Sequence, residues 1–176
     1  MKTLEIPADI IRVARLFKPK KDVRYYLDGV HFKTIGHKLI IEAADGAVAC
    51  KMVAPSAGSF IDCDFILPCE FKIPKNTGNI IIITEDFKQF DIVVGDTITH
   101  EQHIDARYPS IGDVAPRTVT GDAGQFDPEY LMKFRDSSIL LGCGAVYNLQ
   151  HNGTSAAKVD IAKYQFLGII MPWKIK

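Results

Sequence analysis

Residues 22–52 read DVRYYLDGVHFKTIGHKLIIEAADGAVACKM, and their pattern decides the fold. Four short runs rich in β-branched and aromatic residues stand in a row: Arg24-Tyr25-Tyr26-Leu27, then residues 30–34, 38–43 and 48–53. Asp28-Gly29, Ile35-Gly36-His37 and Asp45-Gly46 separate them. Aspartate and glycine tolerate the positive φ of tight hairpin turns, so the stretch predicts an antiparallel meander.

Upstream, Ile10, Ile11, Val13, Ala14, Leu16 and Phe17 recur at nearly helical spacing until Pro19. They predict a short amphipathic helix with Arg12, Arg15 and Lys18 on its polar side. Downstream, the order recurs twice. Phe65-Ile66-Leu67-Pro68 opens a second block with strands at 80–84, 89–94 and 97–101. The helix expected at 69–76 contains Pro74 and is too short to be stable. A third block begins at Phe126, with Asp127 as N-cap and Pro128 at the first helical position. Strands are predicted after it at 138–142, 145–151, 157–162 and 165–170. The result is an α+β fold of about three repeated helix-plus-meander units. Residues 1–116 form a two-unit domain, 117–125 a connection and 126–176 a half-domain.

Composition narrows the function. The chain has 176 residues, 47% of them hydrophobic, enough for one or two packed units. Lysine plus arginine number 21 and aspartate plus glutamate 21, so any attraction to nucleic acid must come from local patches. Cys50, Cys63, Cys69 and Cys143 form neither a CxxC pair nor a secreted disulfide framework, which points to a reduced, cytoplasmic protein. The first ten residues lack the pattern of a signal peptide. No apolar run approaches the ~18 residues of a spanning helix, so no membrane role is expected.

With the units in place, residues 22–30 followed by Ala43-Ala44-Asp45-Gly46 resemble the "VRYYLNG" strand and "ATDG" turn of the bacterial DNA sliding clamp, the DNA polymerase III beta subunit. Tyr108-Pro109-Ser110-Ile111-Gly112-Asp113-Val114-Ala115-Pro116 is similar to that family's "FPDYxxVxP" loop. Phe126-Asp127-Pro128-Glu129-Tyr130-Leu131 and the terminal Ile170-Met171-Pro172-Trp173-Lys174 resemble its "FNxxYLxD" and "VMPMRL" elements. Four motifs in family order implicate most of the chain. The resemblance implies the processivity fold, with helices inside a ring and sheets outside. Relative to that family the chain lacks the first domain and half of the last, leaving three units where a full subunit carries six.

Two sites follow from the resemblance. Inner-helix cations that meet phosphates would be Arg12, Arg15, Lys18, Lys20, Lys21 and Arg24, with Lys133 and Arg135 on the third-block helix. The alternative is that these are the ordinary solvated face of amphipathic helices. The family's apolar cleft for partner peptides maps onto Ala44, Gly46, Pro109, Val114, Met171, Pro172 and Trp173. The alternative is that these residues close the sheet and the chain end. The family's histidine and arginine after the glycine are Ala47 and Val48 here.

Enzymatic constellations are thin. His100 and His103 stand at a strand end, where residues three apart point to opposite faces, so no metal site is expected. Asn76-Thr77-Gly78 and Gly142-Cys143-Gly144 lack the strand-to-helix setting of a phosphate loop, and Cys143 has no basic neighbour in sequence to activate it. Asn152-Gly153-Thr154 is read as a turn. The expected function is therefore a non-enzymatic clamp-like accessory factor without cofactor, which contacts double-stranded DNA and DNA polymerase or other clamp-binding proteins. Self-association as a homo-oligomer, a tetramer if twelve units close a ring, and a phage or prophage source complete that reading. The second reading is a clamp-mimicking interaction module that does not encircle DNA.

Overall fold

The computed structural model describes residues 1–55, 57–60 and 62–173. Lys174, in the terminal motif, lies outside the described residues. Strand β1 (Lys2–Pro7), helix α1 (Ala8–Phe17) and strands β2 (Val30–Ile35), β3 (Lys38–Ala44) and β4 (Val48–Pro55) make the first unit. The two-residue strand β5 (Ala57–Gly58) follows. The second unit holds β6 (Asp64–Leu67), β7 (Asn79–Thr84), β8 (Gln89–Val94) and β9 (Thr97–Gln102). A single helical turn α2 (Ile111–Val114) leads to the third unit, α3 (Pro128–Leu140), β10 (Asn148–Gln150), β11 (Ala157–Ile161) and β12 (Phe166–Ile170).

The strands form a five-stranded sheet, β5-β1-β7-β8-β9, and a seven-stranded sheet, β10-β11-β12-β4-β3-β2-β6. The first two units interlock by exchanging first strands: β1 pairs with β7, and β6 pairs with β2. The third unit joins them edge to edge, β12 pairing antiparallel with β4 from Leu167↔Lys51 to Ile170↔Val48. Helix α1 buries Ile10, Ile11, Val13, Ala14 and Phe17 completely, as their spacing predicts. It stops at Lys18, whose extended backbone is the conformation a residue before proline prefers.

Two predicted strands are corrected. Tyr25–Asp28 is a turn of 3-10 helix, because Asp28 Oδ1 accepts from the Asp22 amide and Asp22 Oδ1 from the Arg24 amide, bending the chain locally. The strand expected at 138–142 is instead the end of α3. That helix closes with a Schellman motif: the Cys143 amide bonds the Ser138 carbonyl, the Gly142 amide bonds the Ile139 carbonyl, and Gly142 takes φ +75°. Strand β1, which the sequence did not announce, alternates buried Leu4 and Ile6 with half-buried Thr3 and Pro7 and exposed Glu5.

At the other end of α3, Asp127 Oδ1 accepts from the Glu129 amide at 2.8 Å, with Pro128 next to it, as expected. Asp127→Ala should cost about 1 kcal/mol. A urea unfolding midpoint indistinguishable from the parent would show that the cap contributes nothing.

Candidate functional site

The 3-10 turn, the β3–β4 turn, the loop through α2 and the end of β12 converge on an apolar cleft of about 320 Å³. Of the peptide-site residues expected from sequence, Ala44, Gly46, Pro109, Val114 and Met171 line it. Pro172 and Trp173 do not; the Trp173 amide instead donates to the Gln125 carbonyl at 2.7 Å. Leu27, Ala49, Ile111 and Ile169 complete the floor, buried at 2–7% exposure, and Tyr26 stands at its side. Val114 and Met171 are 60% and 45% exposed, so apolar surface is presented to solvent at the rim.

The β3–β4 turn is fixed from several directions. Asp45 Oδ1 accepts from the Ala47 and Val48 amides, both at 2.9 Å, and Asp45 Oδ2 pairs with Lys133 Nζ of α3 at 2.7 Å. Gly46 has φ +95°, and a Cβ there would sit 2.5 Å from Arg24 Nη2. The glycine thus serves both the turn and the close approach of the guanidinium. The Met171 amide donates to the Ala47 carbonyl, tying the chain end to the same turn.

Six of the eight cations read as DNA contacts are engaged with the protein itself. Arg12 donates to the carbonyls of Pro74, Lys75 and Thr77, and Arg15 donates to the Phe71 carbonyl at 2.6 Å with its guanidinium 4.5 Å from the Phe71 ring. Lys18 Nζ donates to the Asp28 carbonyl and to Glu70. The polar side of α1 therefore holds the segment 69–78, which carries no helix and needs outside donors for its carbonyls. Arg24 forks onto Asp22 and lines the apolar cleft; hydrogen bonds from Arg24 hold the Asp22 carboxyl down at about 2. Lys133 is bound to Asp45 and Arg135 to Asp136, while Lys20 and Lys21 are exposed.

A second, polar cleft of about 1050 Å³ adjoins the apolar one and shares Tyr26 and Pro109 with it. His100 and His103 serve separate structural contacts: His100 Nδ1 lies 2.7 Å from Asp91, and His103 Nδ1 accepts from the Ile66 amide. Among the described residues no group of three or more His, Cys, Asp or Glu side chains could hold a metal ion, and no helix is long and apolar enough to cross a membrane.

No family model matches the sequence, and no curated protein matches it. Solved structures do. The DNA polymerase sliding clamp of Bacillus subtilis superposes with a TM-score of 0.76 at 12% identity, covering 99% of this chain and 64% of that one. This chain has the bacterial sliding-clamp fold. The DNA polymerase III beta chain of Streptococcus pneumoniae gives a TM-score of 0.71 at 13% identity, with 99% and 65% covered. The chain thus spans just under two thirds of the length of these clamps. Its version of the clamp fold is the three-unit arrangement described above, with an irregular segment at 69–78 in place of a helix in the second unit.

Proposed function

We propose that this protein is a non-catalytic, clamp-like accessory factor of DNA replication or repair whose apolar cleft receives short peptide segments of DNA polymerase or other clamp-binding proteins. One observation carries the reading. Residues as far apart as Ala44, Pro109, Val114 and Met171, picked out by resemblance, line a single cleft with a buried apolar floor and an exposed apolar rim. Apolar side chains of a peptide gain most where such a floor is already formed. Among the described residues that line it, Arg24 is the charged one, held in place by its pair with Asp22.

In this reading units one and two are a clamp domain and unit three a half-domain, and copies associate into a ring, four for twelve units, through free strand edges such as that of β9. Lys20 and Lys21 are then the cations freest to meet phosphates of duplex DNA. A clamp-mimicking module that binds the same partners without encircling DNA is the second reading. It is favoured by the engagement of Arg12, Arg15 and Lys18 with the protein's own backbone. Retention on circular DNA with release on linearisation distinguishes the two, since only an encircling protein slides off ends.

The peptide reading is tested by Val114→Glu combined with Met171→Glu. Both side chains reach solvent, so the fold should tolerate the change. Affinity for a fluorescent hexapeptide with adjacent leucine and phenylalanine should fall at least about 30-fold. Equal anisotropy titrations of parent and variant would remove the cleft from consideration.

A further inference from the structure

Beneath the loop that walls the cleft lies a buried histidine with a carboxylate on each ring nitrogen. His31 Nδ1 is 2.9 Å from Glu42 Oε2, and His31 Nε2 is 2.8 Å from Asp64 Oδ1. A carboxylate oxygen accepts, so both ring nitrogens donate and the ring is an imidazolium. The Tyr108 ring stacks on it at 4.9 Å and 14°. Glu42 Oε1 accepts from the Ile111 amide at 3.2 Å. His31 and Glu42 are 5% and 4% exposed. Two anchors of the loop thus end on one buried ion pair, and Pro109, Ile111 and Val114 of that loop line the apolar cleft.

We infer that His31, Glu42 and Tyr108 are positioning residues forming a proton-dependent latch, which holds the 104–114 wall against the sheet and loosens as pH rises. The effect on peptide affinity rests on the function proposed above; the latch does not. When His31 loses its proton, one ring nitrogen turns a lone pair toward a carboxylate, and the buried Glu42 charge loses its counter-ion. Desolvation pushes the imidazolium down, but the hydrogen bonds it donates to Glu42 and Asp64, with their charges, reverse this and leave His31 raised above the ordinary value. The charged and titratable groups around the cluster are Lys33 on β2, Lys51 on β4, Asp64 on β6, His103 just before the loop, and Arg107 and Asp113 within it. The sign follows from linkage: the contribution is complete below about pH 6.5 and disappears as pH climbs through the raised value in the folded protein.

Hydrogen exchange of residues 104–114 in the whole chain, corrected for intrinsic rates, measures the latch. Protection should fall by up to about tenfold per pH unit as pH rises from about 6.5 through the raised value of His31. His31→Gln should be less protected at the acid end and lose this dependence. Asp64→Asn keeps the fold because Asp64 is 59% exposed, and should move the fall to lower pH. A pH-independent parent, or a His31→Gln or Asp64→Asn profile matching the parent's, would overturn the latch. Affinity for the fluorescent hexapeptide should follow the exchange profile. An intact exchange profile with no binding at any pH would overturn the peptide reading and leave the latch standing.

Discussion

Replacing Phe134 with alanine should cost about 3–5 kcal/mol of unfolding free energy, the range for removing a fully buried phenylalanine. Phe134 is completely buried, with ring centroids of Phe17 at 5.1 Å, Tyr147 at 6.2 Å and Phe166 at 6.3 Å. It joins α1 of the first unit to α3 and the sheet of the third. Few other residues share the task, since α3 fully buries only Phe134, Ser137 and Ser138. The sheet is shaped for it: a Cβ on Gly168 would lie 2.4 Å from the Phe134 ring, so glycine in β12 admits the aromatic onto the strand. Loosening α3 would also release Lys133 from Asp45 and with it the turn that borders the cleft. Peptide affinity should therefore fall along with the urea midpoint. A loss under about 1 kcal/mol would mean that the third unit docks by other contacts.

Arg15→Ala combined with Arg12→Ala should cost about 2–3 kcal/mol, because it removes the part-buried donors to the Phe71 and Thr77 carbonyls and the guanidinium that packs on the Phe71 ring. The Phe71, Lys75 and Thr77 carbonyls lose their arginine donors, while the Pro74 carbonyl keeps the Thr77 amide. Glu101, 8% exposed and accepting from the Cys69 and Glu70 amides, loses a nearby positive charge. Burial lowers the Arg15 guanidinium from its usual value, while Glu101 and Glu70 oppose that fall. Arg15→Lys should restore only part of the loss, since an ammonium cannot both donate and lie flat on the Phe71 ring. Hydrogen exchange should localise the damage to residues 69–78. Parent-like stability and exchange in the double variant would show that these arginines do not brace the segment.

The same arginines mark where sequence reading stops. Their placement on one side of α1 was legible from the spacing of Ile10, Val13, Ala14 and Phe17, but the destination of their donors was not. That depends on a distant segment which has no periodicity of its own because Pro74 breaks it. The strands of residues 30–53 were legible from β-branched runs and glycine turns. Residues 25–28 were misread because two aspartates bend the backbone more strongly than their aromatic neighbours extend it. The end of α3 was misread through Ile139, Leu140 and Leu141, although Gly142 carried the signal for a helix C-terminus.

For the cleft, the motifs picked out Ala44, Gly46, Pro109, Val114 and Met171, which meet there. Ile111 and Ile169 were not singled out, for their part in the floor arises only when α2 and β12 pack over the β3–β4 turn. Tyr26 and Leu27 lay within a motif but looked like strand residues. The His31–Glu42 pair had a sequence-level trace, two residues directly opposite on adjacent strands. Nothing local shows that a loop tens of residues later will bury it.

The claim that the cleft is a docking site is tested most directly by photo-crosslinking a hexapeptide, with leucine beside a benzophenone-bearing phenylalanine, to the intact chain and locating the adducts by mass spectrometry. The predicted adducts fall within residues 44–49, within 109–114 and on Met171, and unlabelled peptide competes them away. Adducts confined to the β9 edge or the exposed side of α3, or adducts that competition does not reduce, would contradict it.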